Sequence, residues 1–420
     1  MQEIQITFAP RHHQLTNAQV WTADGQWLVY DLRQQQSVFD GSRIERVNVV
    51  DGRVEILYQA EHGAFVGVVT ASPTLPERYV CIHSPEYPDQ QWQYDFHHRR
   101  GVIIEDNRAT TMDALDITPP FTPGALRGGS HVHMFSPEGD RISFTYNDHV
   151  MHQLSAEQDL RNVGVAVPAG PVQVVADHPR EYSGSHFCVL VSDTTPNPIA
   201  GSDQINRAYE ESWVGIRGYQ TAEGHWQRWA LAFIGDTLNQ AGLIVPEVFI
   251  VDLPEQDSEF SKSGSRPLTG TILQLPAPPA GVRQRRLTYT QGLARQPRHW
   301  LKSAPDGSAI GFLMADQNDI IQLWTVPPTG GDICQVTFLE HSIQSVFSWH
   351  PQGKHLAFIC NNQLMLWDIE AGKSMALTAF SLVAPCAEAV VWSPNGEAIA
   401  FMREIRGYRQ LCVVKEIFLS

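Results

Sequence analysis

The chain has 420 residues, of which 43% are hydrophobic and 18% are charged, a composition typical of a globular protein with a substantial core. Its formal net charge of −15 argues against nucleic acid or an anionic membrane as the main partner, and it disfavours a polyanionic substrate unless a metal or local arginines offset the field. No apolar run reaches the roughly 18 residues of a membrane span, and the first residues lack the basic and apolar regions of a signal peptide, so we expect a soluble, cytoplasmic protein.

The first predicted element is a strand over residues 1–8, in which Ile4, Ile6 and Phe8 alternate with other side chains. No neighbouring segment offers this strand a hairpin partner, whereas the C-terminal segment 409–417 supplies a third strand without a fourth. We therefore predict that residues 1–8 complete the last sheet and close a ring of sheets. Such closure removes exposed sheet edges.

A tight turn followed by a strand recurs along the chain. The clearest turn is Ser136-Pro137-Glu138-Gly139, where proline presets φ and glycine can take a positive φ. Related turns occur at 21–25, 303–307, 349–353 and 392–396. The prolines at 305, 351 and 394 are separated by 46 and 43 residues (351 − 305 and 394 − 351). A repeat of roughly 40–45 residues with several strands per unit indicates a β-propeller.

The FSPEG, APDG, WHPQG and WSPNG turns, each followed by an I-x-F or L-A-F strand, resemble the TolB-type propeller repeat. The whole chain also resembles the YidR-like family of enterobacterial proteins and, more distantly, the oligogalacturonate lyases. The lyases are propellers that hold a divalent metal with histidines at the channel mouth, so the resemblance implies a divalent ion such as manganese as the cofactor.

The predicted fold is all-β, with one propeller domain over residues 1–420. We favour eight blades, with seven as the alternative. We centre one of the eight on residues 186–191 and the next on residues 229–234 and 248–253. Residues 254–270 are polar and rich in Ser, Gly and Pro, and we predict that they form a flexible insertion that is dispensable for folding.

Aligning the repeats places several polar side chains near the start of the inner strands, where they should line the channel mouth. The predicted ligand-binding residues are Asn17, His131, His133, His299, Ser345 and Glu388. His131, His133 and His299 are the predicted metal ligands, since imidazole is a common ligand of divalent ions. A channel lined by polar groups because water fills it explains the same residues, and both interpretations stay open.

Other motifs point to chemistry less directly. The basic run His97-His98-Arg99-Arg100 could contact a carboxylate or phosphate, or it could be a solvated edge strand. Glu370–Ser374 resembles the end of a P-loop but lacks the earlier glycine, and no G-x-S-x-G elbow occurs. The six cysteines form no C-x-x-C pair, so we predict buried free thiols rather than a zinc or redox motif.

Two functions remain after these exclusions. The first is a propeller that binds a small molecule, such as a carbohydrate, or a protein segment at its channel mouth. The second, implied by the lyase resemblance, is a metal-dependent lyase acting on acidic sugars, in which the metal neutralises a uronate carboxylate and a base removes the α-proton. No catalytic residue is assigned, and whether the chain is an enzyme stays open.

Overall fold

The computed structural model describes residues 2–106 and 108–417, and within these ranges seven β-sheets form the blades of a propeller. Each blade is an antiparallel sheet whose first strand is the innermost. The predicted all-β propeller is therefore confirmed, and the number of blades is seven, the alternative to the favoured eight.

The strands are numbered along the chain, and β1 is Gln2–Gln5. Blade one contains β2 (Trp27–Asp31), β3 (Arg43–Asn48) and β4 (Val54–Gln59). Blade two contains β5 (Val66–Ala71), β6 (Arg78–His83), β7 (Arg100–Glu105) and β8 (Arg108–Thr111). Blade three contains β9 (Gly128–Phe135), β10 (Ile142–Asp148), β11 (Arg161–Val167) and β12 (Phe187–Leu190). The loop between β10 and β11 holds helix α1 (His149–Leu154) and the 3-10 turn Ala156–Gln158.

Blade four contains β13 (Ile205–Trp213), β16 (Ala230–Leu238), β17 (Ile244–Asp252) and β18 (Gln284–Arg286), with the small hairpin β14 (Tyr219–Gln220) and β15 (Trp226–Gln227) inserted after β13. Blade five contains β19 (Lys302–Ser303), β20 (Ile310–Ala315), β21 (Ile321–Val326) and β22 (Cys334–Gln335). Blade six contains β23 (Ser348–Trp349), β24 (His355–Cys360), β25 (Gln363–Asp368) and β26 (Lys373–Ala376). Blade seven contains β27 (Val390–Trp392), β28 (Ala398–Ile405) and β29 (Tyr408–Lys415).

The N-terminal strand closes the ring. β1 pairs antiparallel with β29, from Gln2 opposite Lys415 to Gln5 opposite Cys412, and so becomes the fourth strand of blade seven. The predicted closure is confirmed, but the predicted alternation holds only in part. Ile6 is buried, whereas Phe8 is 73% exposed, because the strand ends before Phe8 and the pleat does not continue through it.

The count of blades differs from the favoured eight for a local reason. The segment 186–191, which the sequence pattern predicts as the centre of a separate blade, contains β12, and β12 pairs with β11 as the outer strand of blade three. A connection of about twenty residues, 168–186, separates these two strands. That long connection hid their pairing in the sequence, because consecutive strands of a blade are usually joined by shorter loops.

The recurrent turns have the predicted geometry. Gly139 has φ 78° and its N–H donates to the carbonyl of Ser136 at 2.8 Å. A Cβ at this glycine would lie 2.4 Å from the hydroxyl of Thr74 in the neighbouring blade, so the position requires glycine for packing as well as for φ. The main hydrophobic core contains buried residues of several blades, among them Phe233 and Phe249, which are cross-strand partners within blade four with ring centroids 5.8 Å apart.

Residues 254–270 leave blade four between β17 and β18. The segment includes the 3-10 turn Asp257–Ser261, in which Phe260 is fully buried, and it returns to the core at Leu268. Between these anchors, residues 261–267 are all exposed. The flexibility of the insertion stays a prediction, and the burial pattern restricts it to this exposed run. No helix among the described residues is both long and apolar enough to cross a membrane.

Candidate functional site

The inner strands of blades two, three and four share a β-bulge. Val68, Val132 and Glu210 have φ of 57°, 54° and 57°, and the pairing of each inner strand shifts register at that point. Left-handed backbone is strained for a β-branched residue, and strain of this kind concentrates at functional sites. The Asp31 carboxylate supports one bulge by accepting the N–H of Val68 at 2.7 Å. A bulge re-aims its neighbouring side chains, so simple alternation does not give their direction.

The bulge at Val132 separates two of the predicted histidines. His131 lines a cavity at the channel mouth, whereas His133 is fully buried, with its Nε2 2.8 Å from the hydroxyl of Ser130. The two side chains therefore face different spaces, although an unbroken strand would point both to the same face. The structure does not bring His131, His133 and His299 together as one ligand set.

His299 and Asn17 also lie along the channel. His299 lines the mouth with His131, and its buried Nε2 accepts the N–H of Leu313 at 3.3 Å. Burial lowers the pKa of His299 to about 4, so its ring is neutral at pH 7. Asn17 lies deeper in the channel, where its Oδ1 accepts a hydrogen bond from Lys302 Nζ at 2.6 Å.

Ser345 and Glu388 are outside the lining of the mouth cavity. Ser345 is fully buried, and its hydroxyl accepts the N–H of Ile359 at 2.8 Å and donates to a neighbouring carbonyl. Glu388 forms an ion pair with Arg409 at 2.8 Å. Both contacts connect segments within the blades, and the binding role predicted for these two side chains stays a prediction.

The mouth cavity has a volume of about 480 Å³ and an unusually basic lining. Among the described residues that line it, Glu210 is the only acidic one, while the basic ones include six arginines: Arg33, Arg99, Arg161, Arg207, Arg295 and Arg298. In a chain with a net charge of −15, this local excess reverses the overall sign. A concave surface lined by positive charge concentrates anions.

Three of the six arginines are paired with carboxylates. The pairs are Arg33 with Asp31 at 2.8 Å, Arg298 with Glu210 at 2.6 Å and Arg295 with Asp236 at 3.7 Å. The Arg33–Asp31 contact is bidentate, since Arg33 Nη2 also reaches Asp31 Oδ2 at 3.0 Å. These guanidinium groups are thus positioned by the protein and partly neutralised.

Arg99, Arg161 and Arg207 form no salt bridge within residues 2–106 and 108–417. Arg99 is 1% exposed, and its Nε and Nη2 have no hydrogen-bond partner among the described residues. The Arg161 Nε donates to Asn147 Oδ1 at 3.2 Å. An uncompensated charge taken out of water is costly, so the buried Arg99 and the half-buried Arg161, with the exposed Arg207 beside them, indicate a site for an anionic group.

The electrostatic environment of these arginines agrees with this interpretation. Burial, followed by repulsion from Arg99, Arg207 and Arg298, lowers the pKa of Arg161 to about 9. Burial also lowers the pKa of Arg99. The guanidinium carbons of Arg99 and Arg161 both lie over the ring of Phe96, at 5.0 and 5.6 Å from the ring centroid. An aromatic face attracts a cation without neutralising it.

Sequence reasoning missed most of this arginine cluster. Arg99 was considered within the basic run 97–100, and the structure shows Arg99 buried in the mouth rather than on a solvated strand. Two of the arginines are close in sequence to positions expected at the channel mouth. Arg298 directly precedes His299, and Arg207 lies two residues before Tyr209, near the start of the inner strand of blade four. Arg161 begins a third strand and had no such signal.

The contacts of His131 favour one tautomer of its ring. The Thr145 hydroxyl lies 3.1 Å from both the carbonyl and the Nδ1 of His131, and donation of its proton to the carbonyl, which can only accept, leaves Nδ1 as the protonated nitrogen. The lone pair of the imidazole is then on Nε2. Burial, with the nearby Arg99 and Arg161, lowers the pKa of His131 well below its ordinary value, and the ring is neutral at pH 7.

A second cavity, of about 270 Å³, lies at the opposite end of the channel. Glu211 and Lys302 line it together with Asn17. Burial raises the pKa of Glu211 to about 8, and burial lowers the pKa of Lys302 to about 7. The Glu211 Oε2 has no hydrogen-bond partner among the described residues. This end therefore carries less fixed charge at pH 7 than the arginine-lined mouth.

Across residues 2–106 and 108–417, one group of three His, Cys, Asp or Glu side chains has ligand atoms that all lie within 4.8 Å of one another. The group is His97, His152 and Asp159. None of the three lines the mouth cavity. The lining of the mouth therefore does not fit a metal ion held by such ligands.

The chain is similar to a known protein along most of its length. A protein of Escherichia coli strain K12 named "Uncharacterized protein YidR" is 55% identical to this chain over 403 residues, covering 95% of this chain and 94% of the relative. Residues 65–182 match the family described as "Protein of unknown function (DUF3748)". That region contains blade two and most of blade three, including two of the six mouth arginines, Arg99 and Arg161.

Solved structures with a similar fold include two lyases. One is an oligogalacturonate lyase in complex with manganese, 9% identical with a TM-score of 0.56, covering 98% of this chain and 92% of that chain. The other is an oligogalacturonate lyase from Vibrio parahaemolyticus, 9% identical with a TM-score of 0.55, covering 98% and 93%. At this identity the likeness concerns the fold alone, and it agrees with the predicted resemblance.

Proposed function

This chain belongs to the YidR family, and we propose that it binds a small ligand bearing several carboxylates, of the acidic oligosaccharide class, in its mouth cavity. The observation that supports this most directly is the set of Arg99, Arg161 and Arg207, which face one cavity without carboxylate partners among the described residues. An anionic ligand would supply the counter-charges that the chain itself does not provide there.

The chemistry of the lining favours carboxylates on a sugar framework. Guanidinium groups bind carboxylates through two parallel hydrogen bonds. The cavity is also lined by Tyr94, Phe96 and Tyr209, whose rings can pack against the apolar faces of sugar rings. Its volume of about 480 Å³ is within the usual range for small-molecule sites. Two structural neighbours are named as lyases of oligogalacturonate, a chain of acidic sugars, which is why we choose that ligand for the test.

The test is isothermal titration calorimetry of the full chain with short oligogalacturonates. The methyl-esterified oligomer, which has the same sugars without the negative charge, is the matched ligand. We expect Arg161→Met and Arg207→Met each to weaken binding of the acidic oligomer by about 10- to 100-fold, the range for a hydrogen-bonded charge. Arg217→Met is the control, since Arg217 is exposed beside Ile216 at the opposite end of the channel.

Absence of binding by the parent chain would overturn this proposal. Equal affinity for the acidic and esterified oligomers would overturn it as well, because the arginines would then not recognise charge. Binding should also weaken as salt is added, since screening reduces the attraction between charged groups.

A second candidate function, a lyase acting on the same ligand, is favoured by the state of His131. This residue is neutral, carries its lone pair on Nε2 and lines the mouth beside Arg99 and Arg161. A neutral imidazole can act as a general base. In β-elimination it would take the proton α to the uronate carboxylate. The C–H electrons would form the new C=C bond as the glycosidic C–O bond breaks, and the departing oxygen would acquire a proton.

The arginines, rather than a metal, supply positive charge in this reaction scheme. The carboxylate gains negative character as the α-proton leaves, and paired guanidinium groups stabilise that charge. The manganese named with the lyase structure is not needed for this step, and the mouth offers no fitting ligand set among the described residues.

The lyase candidate has its own measurement. Elimination produces a conjugated double bond, so the parent chain mixed with oligogalacturonate should gain ultraviolet absorbance over time. His131→Ala should abolish this gain while still binding the oligomer, because the binding arginines are unchanged. A parent chain that binds oligogalacturonate without any gain in absorbance would exclude the lyase and leave the binding function.

We place this function in the cytoplasm. All six cysteines are free, and four of them, including Cys81 and Cys188, are buried. Disulfides are rare in reducing compartments, so unpaired thiols agree with such a location. Cell fractionation of the tagged chain tests the proposal, and recovery in the periplasmic fraction would contradict it.

A further inference from the structure

A cluster of histidines lies outside the mouth cavity, in loops of blades two and three. His97 and His98 belong to the loop that precedes β7. His149 and His152 belong to helix α1, which lies in the loop after β10. The rings of His97 and His152 are stacked with centroids 4.0 Å apart. The function proposed for the mouth does not use these side chains.

Asp159 joins two of these histidines. The His97 Nε2 lies 2.9 Å from Asp159 Oδ1, and the His152 Nδ1 lies 3.1 Å from Asp159 Oδ2. The three residues come from three different segments: the loop before β7, α1 and the stretch before β11. Two imidazoles and one carboxylate that converge from separate segments are the ligand types preferred by zinc and related divalent ions.

Surrounding side chains orient the three residues. Asp95 Oδ1 accepts a hydrogen bond from His97 Nδ1 at 2.6 Å, which leaves His97 Nε2, the nitrogen that faces Asp159, as the atom available to a metal ion. Asn147 Nδ2 donates to Asp159 Oδ1 at 3.1 Å. A carboxylate on the far nitrogen of a ligating histidine is a recurrent feature of metal sites, where it fixes the ring and raises its basicity.

We propose that His97, His152 and Asp159 form a binding site for a divalent transition-metal ion such as zinc. Metal–ligand bonds of about 2.0–2.1 Å in a tetrahedral site require ligand atoms roughly 3.3 Å apart. The contacts of His97 and of His152 with the Asp159 carboxylate, at 2.9 and 3.1 Å, are close to that separation. His97 is nearly fully buried, while the His152 side chain is 41% exposed, so a fourth position is open to water or to a ligand.

The metal site adjoins the mouth without being part of it. Asn147 connects the two, since its Oδ1 accepts from Arg161 Nε in the mouth while its Nδ2 donates to Asp159. Phe96, which lines the mouth, directly precedes His97 in the chain. The metal proposal rests on its own contacts, and it stands whether or not the mouth binds an acidic oligosaccharide.

The competing explanation is a hydrogen-bonded ion triad, with His97 between Asp95 and Asp159 and no metal. The two explanations differ in one measurable way, because a triad alone gives the chain no saturable affinity for zinc that depends on these residues. The test uses the full chain after treatment with a chelator and dialysis. Zinc chloride is titrated into it by calorimetry, and bound metal is measured by mass spectrometry.

We expect a single tight zinc site per chain. His152→Ala and Asp159→Asn should each weaken it by at least about tenfold, and Asp95→Asn by about 10- to 100-fold, because Asp95 orients a ligand without touching the ion. His225→Ala is the matched control, since His225 is an exposed histidine on the hairpin of blade four. Near-ultraviolet circular dichroism checks that each variant keeps the parent fold.

Two results would overturn the proposal. One is a parent chain that shows no saturable zinc binding at micromolar metal. The other is zinc affinity that falls no further in His152→Ala and Asp159→Asn than in His225→Ala, which would assign the binding to surface histidines. Because His152 is largely at the surface, its replacement removes a ligand with little loss of packing, and His152→Ala decides the question even if Asp159→Asn is less stable.

Discussion

The Arg298 Nε donates to Glu210 Oε1 at 2.6 Å, which joins the bulge of blade four to the segment that enters blade five. Glu210 is the only acidic residue among the described residues of the mouth lining. The contact therefore both fixes the bulge and cancels one positive charge of the cavity. Replacing the Glu210 carboxylate with a neutral group of the same size should therefore make the mouth cavity more positive without changing the volume of the cavity.

Glu210→Gln should strengthen binding of acidic oligomers at the mouth. Removing one negative charge roughly 8–15 Å from a bound carboxylate is worth about 1–2 kcal/mol at an effective dielectric constant near 20, or about 5- to 30-fold in affinity. Calorimetry with oligogalacturonate measures the change. Glu138→Gln is the control, because Glu138 is an exposed residue of a turn, paired with Arg228. Weaker binding by Glu210→Gln would show that the carboxylate positions Arg298 for the ligand instead.

Glu211→Gln should flatten the pH dependence of stability between pH 5 and 7. Burial raises the pKa of Glu211 to about 8, so the folded chain keeps a proton that the unfolded chain has lost. The stability from this residue is fully present below the unfolded pKa and is lost as pH rises through the folded one, at about 1.4 kcal/mol per pH unit. Lys302, with a pKa lowered to about 7, is charged in both states over most of this window.

Urea unfolding at pH 5, 6 and 7 measures this effect as the difference between parent and variant, which removes the contribution of other titrating groups. Glu340→Gln serves as an exposed control and should follow the parent. Parallel curves for the parent and Glu211→Gln would contradict the assignment of a raised pKa to this carboxyl group.

Ile6→Ala should destabilise the ring by about 2–5 kcal/mol, the cost of truncating a buried aliphatic side chain. Ile6 is 6% exposed, and its N–H donates to the Leu411 carbonyl at 2.8 Å. Phe8→Ala, two residues away and 73% exposed in the parent, should change stability by less than about 0.5 kcal/mol.

Deletion of residues 1–8 should lower the melting temperature more than Ile6→Ala does, and it should expose the edge of β29 to aggregation. A deletion variant as stable as the parent would exclude a role for closure in stability.

Because trypsin does not cleave before proline, and Pro267 follows Arg266, limited digestion should cut first after Lys262 rather than after Arg266. Both lie in the exposed run 261–267, and their ion pairs with Glu259 and Asp193 are at the surface, where such pairs add little stability. The two fragments should stay associated on gel filtration, because Phe260 and Leu268 anchor the ends of the run in the core. Mass spectrometry identifies the first cut, and a first cut within a blade strand would show that the insertion is ordered.

The fold could be predicted because its signals are local. The Pro and Gly of each turn, and the strand that follows, recur at a spacing that few other architectures share. Closure by residues 1–8 followed from an unpaired strand at each end of the chain. The blade count was less secure, because β12 pairs with β11 across a long connection that carries no turn motif.

The site was only partly predictable because its geometry depends on the bulges. His131 and His299 line the mouth cavity at positions that the repeat alignment indicated, and ligand binding by them stays a prediction. His133 was misplaced because valine at 132 gives no sign of a positive φ, and the bulge there reverses the direction of the next side chain. The arginines come from the loops and strand ends of different blades, and their convergence is a property of the closed ring rather than of any spacing.

Closure by β1 also sets a limit on when the chain can finish folding. Gln5 pairs with Cys412, so the partner of the first strand is made more than four hundred residues later. At the roughly 5–20 residues per second of protein synthesis, β1 waits on the order of 20–80 s for that partner. Throughout this interval the nascent chain holds an unpaired strand at its beginning and an incomplete ring behind it. The edge that β1 covers therefore stays incomplete on a ribosome-bound chain until the last strand emerges.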